Sequence, residues 1–196
     1  MQIGRNTAFV GLLSPLVIRH HGEQAAFEAA NLARLFTRVL PGFIRVDADE
    51  LTYPAHIILR YEIESALING EIEARDIPAL WDEKMMAYLG LDTRGNFAQG
   101  CLQDIHWTSG SFGYFPSYTL GAMYAAQYFA TIRRLHPALD ASLAAGDLKP
   151  ILDWLSSHIW SQASRWETSE LVQRATGEAL NPAHFKRHLE QRYLTA

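Results

Sequence analysis

Apolar positions recur at helical spacing through most of the chain. From Glu23 to Leu40, the residues Ala26, Phe27, Ala30, Leu32, Ala33, Phe36, Val39 and Leu40 fall on one helix face, and Pro41-Gly42 stops the run. Phe43-Ile44-Arg45-Val46 is short and β-branched, which predicts an extended connector or at most a minor strand near 43–47. A second helix is expected from about Pro54, a residue suited to a first helical turn, to Ile68 before Asn69-Gly70. A third should run from Ile77-Pro78 to Leu89 and stop at Gly90, and a long one from Tyr118 to Leu135 before His136-Pro137. Three more follow: Leu148 to Ser161, Ser169 to Ala175 and Pro182 to Leu194, the last with Asn181 as N-cap. The expected class is all-α.

The segment Arg94 to Ser117 breaks this pattern. Gly95, Gly100, Gly110, Gly113 and Pro116 are interleaved with Phe97, His106, Trp107, Phe112, Tyr114 and Phe115. That composition predicts either an ordered loop presenting side chains for function or an aromatic plug between helices.

Length and charge narrow the function classes. A chain of 196 residues fits a single helical domain, 1–196. A net charge of −4 argues against general nucleic-acid binding, which needs a basic excess. No stretch reaches the about 18–20 apolar residues of a membrane span. The most apolar early run, Phe9 to Ile18, contains Ser14 and Pro15 and lacks the flanks of a signal peptide. The lone cysteine, Cys101, excludes an intrachain disulfide and suits a reducing compartment, so the cytoplasm is the expected location.

Common catalytic signatures are missing. His184-Phe185-Lys186-Arg187-His188 has the histidine spacing of a zinc helix. However, Phe185 stands where a glutamate is needed, and Lys186 and Arg187 oppose a dication, so a polar outer face is expected there. His20-His21 point in different directions on a helix. Cys101 with His106 gives no nucleophile geometry, and no Gly-x-Ser-x-Gly elbow or phosphate-binding glycine loop occurs. The second helix is anomalous: His56, Arg60, Glu62 and Glu64 punctuate a very apolar run, which predicts buried charges that are paired or face a cavity. Asp47, Asp49 and Glu50 are the nearest candidate partners in sequence.

Two motifs carry a family resemblance. Ile44-Arg45-Val46-Asp47-Ala48-Asp49 has the form I-R-x-x-A-D, and Gly100-Cys101-Leu102-Gln103-Asp104-Ile105-His106-Trp107 the form G-x-x-Q-D-x-H-W. With Leu51-Thr52-Tyr53, Asp76-Ile77-Pro78, Gly113-Tyr114-Phe115-Pro116 and Ala175-Thr176-Gly177-Glu178, the chain resembles the thermostable carboxypeptidase (carboxypeptidase Taq) family of metallocarboxypeptidases along nearly its whole length.

The resemblance implies a zincin-like (neurolysin-like) helical scaffold that removes C-terminal residues from peptides. In the family, zinc (or cobalt) is held by a His-Glu-x-x-His helix and by a glutamate of a following His-Glu-Ser-Gln motif. Neither motif is in this sequence, which looks like the C-terminal two-fifths of a member and is expected to be inactive alone. Three readings follow: an incomplete carboxypeptidase, the substrate-binding half of a split peptidase, or a non-enzymatic peptide-binding or structural remnant. The implied partners are a peptide C-terminus and either a zinc-bearing N-terminal half or a second copy of the chain. The residues carried over are His106, Tyr114 and Tyr118 near the scissile carbonyl, and Arg45, Arg60, Gln103 and Asp104 in substrate binding. Arg45 and Arg60 are rivals for the substrate's terminal carboxylate, and Asp104 is expected to orient His106. One departure stands out: family members tend to show Ile-His-x-x-Gly where this chain has Ile159-Trp160-Ser161-Gln162-Ala163.

Overall fold

The computed structural model describes residues 2–194, and among these it contains helices and 3₁₀ turns but no strand. The α-helices are α1 (Thr7–His21), α2 (Ala29–Phe36), α3 (Tyr53–Ile68), α4 (Ile77–Leu89), α5 (Pro116–Leu135), α6 (Leu139–Ala144), α7 (Lys149–His158), α8 (Thr168–Thr176) and α9 (Ala183–Tyr193). Contacts sort the chain into two compact units. The first joins the residues up to Thr37 to those from Gly121 onward, and the second is the continuous segment Arg38–Leu120.

The helices expected near residues 54–68, 77–89, 118–135, 169–175 and 182–194 all form, with ends shifted by a residue or two. Gly90 ends α4 in the left-handed conformation. The side-chain oxygen of Asn181 accepts from Ala183 N at 3.0 Å, as an N-cap before Pro182 should.

Three departures have local causes. The run 23–40 is not one helix but a 3₁₀ turn, Ala25–Phe27, an extended Glu28, then α2. Ser14 Oγ donates to Phe27 O at 2.7 Å and Asn31 Nδ2 to Ala25 O at 2.7 Å, so side chains occupy carbonyls that a continuous helix would use. The segment near 43–47 is a 3₁₀ turn, Arg45–Asp47, after an extended Ile44. Helix α1 forms around Pro15 because Gly11, whose carbonyl loses its helical donor there, lies exposed with Pro15 on the solvent side.

In the first unit, α1 packs on α2 and α6. Its main core gathers Phe129, Ile132, Leu139, Leu143, Ile151 and Trp154. Short α6 inserts Leu139 and Leu143, 1% and 0% exposed. A smaller cluster seats Phe185 of α9 against Ala122 and Ala126 of α5. Buried Gln127 ties down the approach to α9: its Nε2 donates to Thr176 Oγ1 and Ala179 O, and its Oε1 accepts from Asn181 N.

In the second unit, α3 pairs with α4 around Leu59, Ile63, Trp81, Met85 and Leu89. Trp107, from the glycine-aromatic segment, packs against this core. Thr93 Oγ1 donates to Asp82 at 2.5 Å, anchoring the start of that segment to α4.

Candidate active site

The site is built within the second unit from α3, the 3₁₀ turn at Arg45 and the segment 94–118. Along α3, His56, Arg60 and Glu64 follow one another at four-residue intervals, forming a polar stripe within the buried face. His56 and Arg60 are fully buried and Glu64 is 5% exposed. The stripe is stable only because the 94–117 segment brings partners to it.

Asp104 is the main partner. Its Oδ1 accepts from Arg45 Nε at 3.0 Å and Nη2 at 2.7 Å, and its Oδ2 accepts from Arg60 Nε at 2.6 Å. Arg60 Nη1 also donates to the His56 carbonyl at 2.8 Å, and Arg45 Nη1 to the Tyr53 hydroxyl at 2.9 Å. Aromatic rings cover the two cations. The Arg60 guanidinium lies 4.5 Å from the Trp81 ring centre and 5.6 Å from that of Phe115, and that of Arg45 lies 4.8 Å from Tyr118. The charges of α3 are therefore not met by Asp47 or Asp49. Asp49 instead accepts from the backbone N–H groups of Leu40, Leu51 and Thr52.

Glu64 holds the far end of the loop. Its Oε2 accepts from Trp107 Nε1 at 2.8 Å, and its Oε1 accepts from Gly113 N–H. Gln103 fastens the near end: Oε1 accepts from Arg45 N at 2.8 Å, while Nε2 donates to Phe43 O at 3.0 Å and Gln99 O at 2.8 Å. Gly100 lets the chain turn tightly here, since a Cβ at this position would sit 2.6 Å from Asn96 O.

His106 Nε2 lies 3.0 Å from the Tyr118 hydroxyl. Its ring packs 4.4 Å from Phe115 and 5.8 Å from Tyr114, and Tyr114 meets Tyr118 edge-on at 5.4 Å. Nδ1 of His106 is 3.7 Å from Asp104 Oδ1, beyond hydrogen-bond length, and is buried without a partner. Asp104 thus spends its oxygens on the arginines, and aromatic packing with Tyr118 sets the imidazole's orientation. Tyr114 is 51% exposed, so the His106–Tyr114–Tyr118 group is the part of the site that reaches solvent.

The electrostatics follow from burial and pairing. Burial opposes ionisation of Asp104, but the two guanidiniums outweigh it and hold its pKa below the ordinary carboxylate value. Arg60 is lowered to about 10, by burial first and by neighbouring Arg45, against the pull of Asp104. For Arg45, burial is outweighed by the Asp104 bonds and the value rises. His56 falls to about 4 through burial and the adjacent Arg60 charge, so it is neutral at pH 7.

All seven residues singled out in the sequence come together here. Sequence reasoning marked His56 and Glu64 as buried charges without placing them in the site, and it missed Tyr53, Trp81 and Phe115 as site builders. The available signal was the four-residue spacing of His56, Arg60 and Glu64 on one apolar helix. Among the described residues, no group of three or more His, Cys, Asp or Glu could hold a metal ion. His184 and His188, and His20 and His21, belong to the first unit and not to the segment that builds this site.

This all-helical arrangement is that of the metallocarboxypeptidases: metallocarboxypeptidase 1 of Trypanosoma cruzi superposes with a TM-score of 0.96 over 99% of this chain, at 52% identity. The family model for carboxypeptidase Taq (M32) metallopeptidases matches residues 1–193, and the chain belongs to that family. Carboxypeptidase 1 of Bacillus subtilis is 44% identical over 163 residues, 83% of this chain. Thermostable carboxypeptidase 1 of Pyrococcus furiosus is 35% identical over 192 residues, 98% of this chain. The chain spans 41%, 32% and 38% of these three relatives, respectively. No helix among the described residues is long and apolar enough to cross a membrane.

Proposed function

We propose that this chain is the substrate-binding portion of a zinc metallocarboxypeptidase that removes C-terminal residues from peptides. It gains activity only with a segment that supplies the metal helix and general base. The observation that carries the reading is the His106–Tyr118 contact at 3.0 Å, mounted beside a doubly clamped Asp104. The described residues do not form a zinc site, so no chemical step is assigned to a metal here.

In this reading, Tyr118 and Tyr114 donate hydrogen bonds to the oxyanion that develops on the scissile carbonyl, and His106 Nε2 holds the Tyr118 hydroxyl in place. Such donors act selectively in the transition state and are worth about 10²–10³ in kcat each. Arg45, Arg60 and Asp104 together carry one net positive charge, which favours a substrate's terminal carboxylate. Arg45 is the better placed of the two rivals. It is 6% exposed, and an incoming carboxylate oxygen can replace the Tyr53 hydroxyl on Nη1. Arg60 has no exposed surface and acts by positioning Asp104. Gln103 acts through Arg45, by fixing its backbone. The free thiol of Cys101 fits a reducing compartment, and the reading locates the protein in the cytoplasm.

The test mixes this chain with the complementary N-terminal region of the Trypanosoma cruzi relative, adds zinc or cobalt, and follows release of the C-terminal residue from a blocked dipeptide. Activity that requires both parts and tracks bound metal is expected. Stoichiometric metal in a stable complex without release would overturn the proposal. Saturable dipeptide binding without hydrolysis would favour the non-enzymatic reading.

A further inference from the structure

The first unit contains a cavity of about 430 Å³ walled by the start of α1, the end of α2, the middle of α5 and one face of α9. Among the described residues, its lining holds five arginines and two histidines and no aspartate or glutamate. From this cavity we propose a binding site for a small organic phosphate, separate from the peptide-processing site.

The sequence of α9 sorts its charges for this purpose. His184, Arg187, His188, Gln191 and Arg192 follow the spacing of a single helix face, and all of them line the cavity. Phe185 faces the core instead, and Glu190 pairs with Lys186 off the lining at 3.8 Å. Two of the lining residues meet acids: His184 meets Glu178 at 2.6 Å and Arg133 meets Asp140 at 2.5 Å. Arg5, Arg34 and Arg187 have no acidic partner among the described residues.

Two buried polar atoms of the lining also lack hydrogen-bond partners, Arg5 Nη1 and His184 Nδ1. Leaving such atoms unsatisfied is costly, and an anion's oxygens would accept from them. The helix α1, 15 residues long, begins at the same wall with Asn6 and Thr7, adding the positive end of its dipole.

The remaining wall sets the ligand class. Ala126, Phe129 and Ala130 give an apolar floor, with the Arg133 guanidinium 5.2 Å from the Phe129 ring. Three guanidiniums without acidic partners suit a doubly charged, multi-oxygen group that accepts bidentate bonds. The floor suits a carbon skeleton attached to it. The arginines that line the cavity beside His184 and His188 oppose a dication there.

The test is isothermal titration of the 196-residue chain at low ionic strength with phenyl phosphate, inorganic phosphate and citrate. Saturable binding is expected, in the order phenyl phosphate, inorganic phosphate, citrate. Arg187→Gln and Arg34→Gln, both at exposed positions, should each weaken phenyl phosphate by about tenfold or more. Arg75→Gln, in the second unit, should leave the affinity unchanged. Circular dichroism of each variant shows that it is folded. No saturable phosphate binding, or equal weakening by Arg75→Gln, would overturn the site. Equal affinity for the two phosphates, or tighter citrate, would overturn its assignment to an organic phosphate.

Discussion

Arg45 and Arg60 converge on opposite oxygens of one carboxylate, with Asp104 Oδ1 2.7 Å from Arg45 Nη2 and Oδ2 2.6 Å from Arg60 Nε. Neither guanidinium can be buried without that carboxylate, and the segment carrying Asp104 cannot settle without the guanidiniums. Asp104→Asn keeps the side chain's shape but removes the charge. It should destabilise the chain by about 3–5 kcal/mol, the usual consequence of stranding buried charges. Urea unfolding followed by circular dichroism measures this; a loss within experimental error of zero would mean that the clamp does not hold the fold.

His56 makes stability pH-dependent. Its folded pKa of about 4 lies below the unfolded value near 6.5, so the unfolded chain takes up a proton first as the pH falls. The stability is fully present above about pH 6.5 and is lost as the pH drops toward 4. Between pH 7 and 5 the loss from this residue is about 2 kcal/mol. Asp104, whose pKa is depressed, adds a further loss only at more acidic pH. Urea midpoints measured across this range should fall with acid, and His56→Gln should flatten the slope. An unchanged slope would assign the pH dependence elsewhere.

Ala163 is the only non-glycine residue with positive φ among the described residues, at 48°. An alanine there carries strain that glycine does not. Ala163→Gly should therefore raise stability by about 1 kcal/mol despite the added flexibility of the unfolded chain. A lower thermal midpoint would show that the strain is absent.

Gly100 tests how tightly the site loop is built. A methyl group there meets Asn96 O at 2.6 Å, and this neighbour is backbone that cannot swing away. Gly100→Ala should cost about 1–3 kcal/mol, as overpacking does. It should also alter the near-ultraviolet signal of Trp107, whose ring packs edge-on against Phe115 at 5.8 Å.

In the reconstituted enzyme, Tyr118→Phe and Tyr114→Phe should lower kcat by about 10²–10³ where each hydroxyl serves the oxyanion, with little change in KM. Arg45→Lys should chiefly raise KM. A pair of tyrosine variants with unchanged kcat would remove the oxyanion role from both.

The helices of this fold were legible where a single face repeats for three turns or more and a proline or glycine marks the end, as from Ile77 to Gly90. Two kinds of element were hidden. Helix α6 is too short for a period to emerge, although Leu139 and Leu143 are core residues. Helix α1 has no counterpart in the sequence reading, where Phe9 to Ile18 stands only as an apolar run holding Ser14 and Pro15. The run 23–40 misled because its interruption depends on Ser14, a residue outside the run. At the site, the resemblance to carboxypeptidase Taq brought out Arg45, Gln103, Asp104 and His106. It could not show that Asp104 serves both arginines rather than His106, because that outcome depends on distances across the folded chain.

The two units differ in how the chain supplies them. The residues of this chain that build the candidate site lie between Arg38 and Leu120, so a ribosome delivers that unit as one uninterrupted stretch. Helix α1 packs on α6, which emerges only after that stretch is finished. At about 5–20 residues per second, the first segment waits roughly 5–20 s before α6 emerges. During that interval the side of α1 that packs on α6 is open to a chaperone, and a translational pause after Leu120 would prolong the exposure.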